Sequence, residues 1–215
     1  MTQALAVGVE TGSKRAFAWA AEWPGWCRSG RGEAQALQVL AQYADRYREV
    51  AFAAGEHLPA VAIGEFKVQE RLPGSATTDF GAPAAIGPAD VGPLTPAAGE
   101  RIGRLLGASW DLFEARSRSA PPELRKGPRG GGRDRDKMVA HVLGVDFAYA
   151  RKLGLDARSA VGDEAAVVAL RKAVRAALAS PASIPATPEG WPPRYYARRA
   201  AWHVLDHLWE IEDRS

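Results

Sequence analysis

The stretch AWHVLDHLWEIEDRS, residues 201–215, combines two patterns that determine how the second half of this 215-residue chain folds. His203 and His207 are four residues apart, and Trp202 and Trp209 are seven residues apart. Because an α-helix turns by about 100° per residue, each pair lies on one helix face. We therefore predict a helix with an edge of histidines and a separate aromatic face. Its core-facing stripe contains Ala197, Ala201, Val204, Leu208 and Ile211.

Three further amphipathic helices are predicted before this one. The first begins with Thr95 as its N-cap and Pro96 at its first helical position. Four such helices with connecting loops predict a four-helix bundle over residues 95–215. The predicted helices cover about 96–116, 134–153 and 163–179, and from Pro192 or Pro193 almost to the end.

Residues 1–71 show the alternation of β-strands around one helical segment. LAVGV (5–9) and RAFAWAA (15–21) alternate larger and smaller side chains with a period of two. Residues 32–51 are rich in helix-forming residues and contain no proline. We predict an α+β protein in which a small antiparallel sheet, covered by one helix, precedes the bundle. A Gly/Pro/Ala-rich linker at 72–94 connects the two domains.

Composition and charge limit the range of functions. The net charge is +3, and residues 116–137 alone hold 8 Lys/Arg against 3 Asp/Glu. Proteins that bind nucleic acid usually spread basic charge over a face, so we expect no nucleic-acid partner. Neither a signal peptide nor an apolar run of about 20 residues is visible. The single cysteine, Cys27, fits a reducing compartment. We expect a cytoplasmic protein that does not enter a membrane.

Three histidines form a candidate metal site. His203 and His207 lie along one edge of the core stripe of the last helix, and His141 lies at the edge of the stripe on the second bundle helix. If these helices are neighbours, the three imidazoles converge. Neutral imidazoles suit Zn²⁺, Ni²⁺, Cu²⁺ or Fe²⁺, and three of them leave a coordination position open. Alternatively, the rings only line polar edges of packed helices. His57, in a loop-like stretch, is expected at the surface.

The second half of the chain resembles a known superfamily. DKMVAHVLGVDFAYARKL (136–153) and RRAAWHVLDHLWEIEDR (198–214) are similar to the second and last helices of DinB-like proteins. These proteins include metal-dependent hydrolases and thiol-dependent transferases. The resemblance covers roughly residues 95–215 and implies one divalent ion, usually zinc or nickel. The implied ligands are His141, His203 and His207.

The first half resembles the N-terminal fold of HicB-like antitoxins. The likeness is carried by RAFAWAAEWPGWCRSGRGEAQALQVLAQYA (15–44), an extended segment and a Pro-Gly turn followed by a Glu-Ala-rich helix. Trp26 is inserted in that turn, and a helical bundle occupies the place of the family's DNA-binding tail. The resemblance implies the fold rather than the antitoxin function.

Several polar residues could assist a metal ion. Tyr196 could donate a hydrogen bond to a developing oxyanion, and Glu210 could serve as a general base or orient a histidine. We rank both ahead of Asp146, and a salt bridge or helix-edge hydrogen bond is the alternative for each. In RKGPRGGGRDRDK (125–137), Arg129 and Arg133 are candidates for binding an anionic ligand. A solvated loop explains that composition more simply.

Tyr195, Trp202 and Trp209 form an aromatic stripe that points away from the predicted core. A solvated face would not normally carry three large aromatic residues, so we expect a cover over them. We favour the N-terminal domain, and a second subunit in a homodimer is an alternative. Cys27 has no histidine partner nearby in sequence, and we expect it to be a small buried residue rather than a nucleophile.

Two functional hypotheses remain open. The first is a metal-dependent enzyme that activates water or a low-molecular-weight thiol, for hydrolysis or thiol transfer on a small-molecule substrate. The second is a binding or regulatory module in which the HicB-like domain recognises a partner and the bundle provides structure. Metal analysis distinguishes the two hypotheses.

Overall fold

The computed structural model describes residues 4–59, 65–127, 132–184 and 189–215. Within these residues the chain forms an α+β structure, and no helix there is long and apolar enough to span a membrane. The strands are β1 (Leu5–Thr11), β2 (Ala16–Ala20), β3 (Cys27–Gly30) and β4 (Phe66–Pro73). The helices are α1 (Glu33–Gln42), α2 (Ala44–Ala53), α3 (Ala76–Phe80), α4 (Pro88–Val91), α5 (Pro96–Ser119), α6 (Arg135–Lys152), α7 (Glu164–Ala179) and α8 (Pro193–Arg214).

The four strands form one mixed sheet with the order β3-β2-β1-β4. β1 pairs antiparallel with β2, and β2 pairs antiparallel with β3. β4 runs parallel to β1, with Leu5 opposite Phe66 and Thr11 opposite Pro73. The prediction of an antiparallel sheet was therefore wrong at this strand. α1 and α2 form a helical crossover that carries the chain from β3 at one edge of the sheet to β4 at the other, beside β1.

The predicted covering helix is in fact two helices, α1 and α2, which meet at Tyr43. The carbonyl oxygen of Leu40 accepts a hydrogen bond from the indole Nε1 of buried Trp26, at 2.8 Å. A continuous helix would use this carbonyl for the N–H of residue 44. At the break this carbonyl instead accepts from Trp26 and from the N–H of Tyr43, at 3.2 Å.

The four long helices lie close to their predicted positions. Thr95 caps α5, since its side-chain oxygen accepts a hydrogen bond from the N–H of Ala98 at 3.2 Å. α5 packs against α7 and α8, and α6 packs against the same two helices. Gly99 permits the close approach of α5 to α7, because a Cβ at this position would lie 1.8 Å from the carbonyl oxygen of Leu178.

The N-terminal layer covers Trp202 and Trp209 of the aromatic stripe on α8, as predicted, whereas the hydroxyl of Tyr195 donates to the carbonyl oxygen of Ala84 in the segment 72–94. Trp202 packs with Phe17 and Cys27 of the sheet, and the Phe17 and Trp202 rings meet edge to face at 5.9 Å. Trp209 contacts the Tyr43 ring, with 4.9 Å between centroids. Burial raises the pKa of the Cys27 thiol to about 12, which agrees with its predicted structural role.

Two buried charged side chains hold the segment 72–94, which contains α3 and α4. Glu10 on β1 is fully buried and accepts hydrogen bonds at 2.9 Å from two consecutive backbone N–H groups of this segment. Arg198 on α8 donates to Asp90 through Nε and Nη2, at 3.1 and 2.6 Å. The predicted linker therefore makes specific contacts with both the sheet and α8.

Candidate metal centre

The packing of α6 against α8 brings the three predicted histidines together. One possible ligand nitrogen from each ring lies within 4.8 Å of the other two. Nε2 of His141 and Nε2 of His203 are 3.2 Å apart. The ring centroid of His207 lies 5.0 Å from that of His141 and 4.7 Å from that of His203. These three side chains could hold a metal ion.

The surroundings keep two of the imidazoles neutral at neutral pH. Burial lowers the pKa of His203 to about 2, and neighbouring cationic side chains act in the same direction. Burial also lowers the pKa of His141, and the positive charge of Arg133 adds to this effect. A neutral imidazole offers its lone pair to a metal, whereas a protonated one does not. Both rings are therefore in the form that binds metal.

Glu210 gives His207 a defined orientation. Nδ1 of His207 lies 3.2 Å from one carboxylate oxygen, and Arg214 donates to the other at 2.7 Å. The hydrogen bond with His207 lowers the pKa of Glu210, and Arg214 contributes further. An ionised acceptor at Nδ1 leaves Nε2 of His207 free for a metal, an arrangement that is common among metal-binding histidines. Nδ1 of His203, by contrast, is buried and has no hydrogen-bond partner among the described residues.

Arg214 also contacts the described residues on either side of 128–131. Its Nε and Nη1 donate to the carbonyl oxygens of Arg125 and Arg133, at 2.6 and 2.9 Å. The side chain of Arg133 is exposed, and its charge acts on His141. Arg129 lies outside the described residues. Beside Glu210 is a cleft of about 660 Å³, also lined by Arg28, Lys126, Asp206, Trp209 and Asp213.

Tyr196 and Asp146 do not belong to the group of three histidines. Tyr196 is fully buried in the hydrophobic core, and burial raises its pKa well above its usual value. Asp146 lies 3.8 Å from Arg171 of α7, and burial raises its pKa to about 7. The tyrosine ring in contact with His203 is Tyr149, with 5.8 Å between centroids. Sequence reasoning missed Tyr149 at this site, although it lies two turns after His141 on the same stripe of α6.

No protein-family model, no curated protein and no solved structure matches the chain. The DinB-like and HicB-like resemblances therefore gain no support from comparison with known proteins. The convergence of the three histidine rings is the observation that bears on function.

Proposed function

We propose that the chain is an enzyme that uses one divalent metal ion, zinc or nickel, bound by His141, His203 and His207. The proposed reaction is hydrolysis or thiol transfer on a small-molecule substrate, with water or a low-molecular-weight thiol as the nucleophile. The observation that supports this proposal is the convergence of three ring nitrogens from two helices within 4.8 Å.

The donor set fits such an ion. Zinc binds imidazole nitrogen at about 2.0 to 2.1 Å, which separates two ligands of a tetrahedral site by about 3.3 Å. The distance of 3.2 Å between the His141 and His203 nitrogens agrees with this separation. The ligand nitrogen of the third ring lies within 4.8 Å of the other two. Three imidazoles suit zinc, nickel and copper, and they leave a coordination position open.

The residues around the ion would have distinct roles. The ion would act as a Lewis acid toward water or a thiol. Glu210 orients His207, and Arg214 holds Glu210 in place. Tyr149 borders the site next to His203. The charge of Arg133 lies near His141 and favours an anionic nucleophile.

The proposed architecture is a DinB-like four-helix bundle formed by α5 to α8, with the ion between its second and fourth helices. The pairwise packing supports this, because α5 and α6 each contact both α7 and α8. In bundles, metal sites are commonly built from side chains on facing helices. The two helices that supply the histidines, α6 and α8, are in direct contact.

Metal analysis tests the proposed site. Metal-free, untagged protein is incubated with Zn²⁺ or Ni²⁺, separated from free ion and analysed for bound metal. We expect about one ion per chain and loss of binding in His203→Ala. His57→Ala should bind normally, because His57 is exposed and lies outside the cluster. The proposal is wrong if the reconstituted protein holds no metal and its melting temperature does not change.

Cobalt substitution tests the reaction. Thiol coordination to Co²⁺ adds a sulfur-to-metal charge-transfer band to its absorption spectrum. We expect this band when a low-molecular-weight thiol is added to the cobalt-loaded chain, and we expect none with His203→Ala. Tight metal binding without thiol coordination, and without hydrolysis of small esters or amides, would favour a binding or regulatory module whose N-terminal layer recognises a partner.

A further inference from the structure

Arg199 lies on α8 one helical turn before His203 and on the same face. Its guanidinium carbon is 4.6 Å from the Trp202 ring centroid and 5.7 Å from the Tyr149 ring centroid. Tyr149 in turn contacts His203, with 5.8 Å between ring centroids. Arg199, Tyr149 and His203 therefore border the same region next to the proposed metal ion.

One nitrogen of the Arg199 guanidinium has no acceptor in the described part of the chain. Its Nη1 is buried and has no hydrogen-bond partner within the described ranges of the chain. A guanidinium is always charged, and leaving a buried charged donor unpaired is costly. The neighbouring Arg198 also has a buried Nη1 without a partner in the described ranges, but its Nε and Nη2 both donate to Asp90. Glu210, the carboxylate of the site, is about three turns further along α8 and is already bound to His207 and Arg214.

We infer that Arg199 binds an anionic group of the substrate, a carboxylate or a phosphate, and so positions the substrate beside the three histidines. This inference rests on the proposed function, which locates the reaction at the three histidines. The planar guanidinium can donate two parallel hydrogen bonds to either anion. One helical turn rises about 5.4 Å, so one small molecule can reach from Arg199 to the region of His203. Tyr149 and Trp191, 4.7 Å apart, offer an apolar wall to the rest of the molecule.

Isothermal titration of the full chain tests this role with two probes, inorganic phosphate and acetate. Both probes are titrated into the metal-free protein, and acetate also into the zinc-loaded protein. Arg199→Met keeps a long unbranched side chain and removes the charge that lies over the Trp202 ring. Arg199→Lys keeps the charge and removes the planar fork. Arg158→Met is the control, because Arg158 is an exposed arginine in the loop after α6.

We expect the wild type and Arg158→Met to bind one of the probes with equal affinity. Arg199→Met should bind that probe at least about tenfold more weakly, because a charge-assisted hydrogen bond is lost, and Arg199→Lys should be intermediate. The preferred probe identifies the anion as phosphate or carboxylate. The inference is overturned if the wild type binds neither probe at millimolar concentration, or if Arg199→Met binds as well as the wild type.

Zinc titration of the same variants separates this inference from the proposed function. Normal zinc binding together with unchanged anion affinity in Arg199→Met refutes only the role of Arg199. Absence of zinc binding in every variant refutes the metal site, while Arg199-dependent anion binding would still stand. Circular dichroism melting confirms that Arg199→Met is folded, and Arg199→Lys carries the test if it is not.

Discussion

Glu210 offers a sharp test of the metal centre, because removal of its charge should weaken zinc binding without removing a ligand. Its carboxylate lies 3.2 Å from Nδ1 of His207 and is held by Arg214 at 2.7 Å. Loss of the hydrogen-bonded partner of a ligating histidine typically weakens metal binding by about 10- to 100-fold, or about 1.4 to 2.7 kcal/mol. The Glu210 side chain is 34% exposed, so water screens part of its effect. We therefore expect a loss of about 10- to 30-fold for Glu210→Gln.

Competition with a chromophoric zinc chelator near neutral pH measures this change. Glu212→Gln is the matched control, since it removes the same charge two residues further along α8, from a side chain that pairs with Arg116. We expect the control to change zinc affinity by less than about twofold, because the Glu212 carboxylate accepts from Arg116 of α5 and orients no ligand histidine. The reasoning fails if both variants weaken binding equally, or if Glu210→Gln binds as well as the wild type. Complete loss of stoichiometric zinc would instead identify Glu210 as a ligand.

Three further predictions concern stability, measured by thermal or urea unfolding. Trp202→Ala removes the contact of Trp202 with Phe17 of the sheet and should cost about 3 to 5 kcal/mol, whereas a cost below about 1 kcal/mol would contradict that packing. Arg198→Met leaves Asp90 buried without its partner and should cost about 3 to 5 kcal/mol, while adding Asp90→Leu should recover most of this loss. An equal cost for the single and double variants would show that the pair is not coupled. Burial raises the pKa of Asp146 from 3.8 to about 7, so the unfolded chain releases this proton at lower pH than the folded chain does. Stability should therefore fall by up to about 4 kcal/mol between about pH 4 and pH 7, and Asp146→Asn should flatten this slope; an unchanged profile would contradict the assignment.

The helices and the three imidazoles could be predicted because their signals are local. The Thr95–Pro96 pair marks the start of α5, and the spacing of His203 and His207 places both rings on one face through helix geometry alone. Glu210 could be linked to His207 for the same reason. Tyr196 was named as a candidate for the site because it shares a helix face with His203. The two residues are seven apart, however, which separates them by about 10 Å along the helix axis.

The remaining features depend on contacts between residues that are far apart in sequence. The break at Tyr43 coincides with a hydrogen bond between Trp26 and Leu40, which are 14 residues apart in sequence. The acceptor role of Glu10 involves backbone groups 74 and 75 residues away. No local pattern identifies such a partner, so a Gly- and Pro-rich stretch is predicted as a linker even where buried charges hold it.

Trp202 lies between the sheet and the imidazoles, and this position has a spectroscopic consequence. Its ring centroid is 6.3 Å from that of His203 and 5.9 Å from that of Phe17. An open-shell ion such as Cu²⁺ or Ni²⁺ at the three histidines should quench the emission of this indole, whereas closed-shell Zn²⁺ should not. Trp202→Phe would separate its signal from that of the other tryptophans. The unlabelled chain thus carries its own fluorescent reporter, placed where the sheet meets the helix that supplies two of the three ligands.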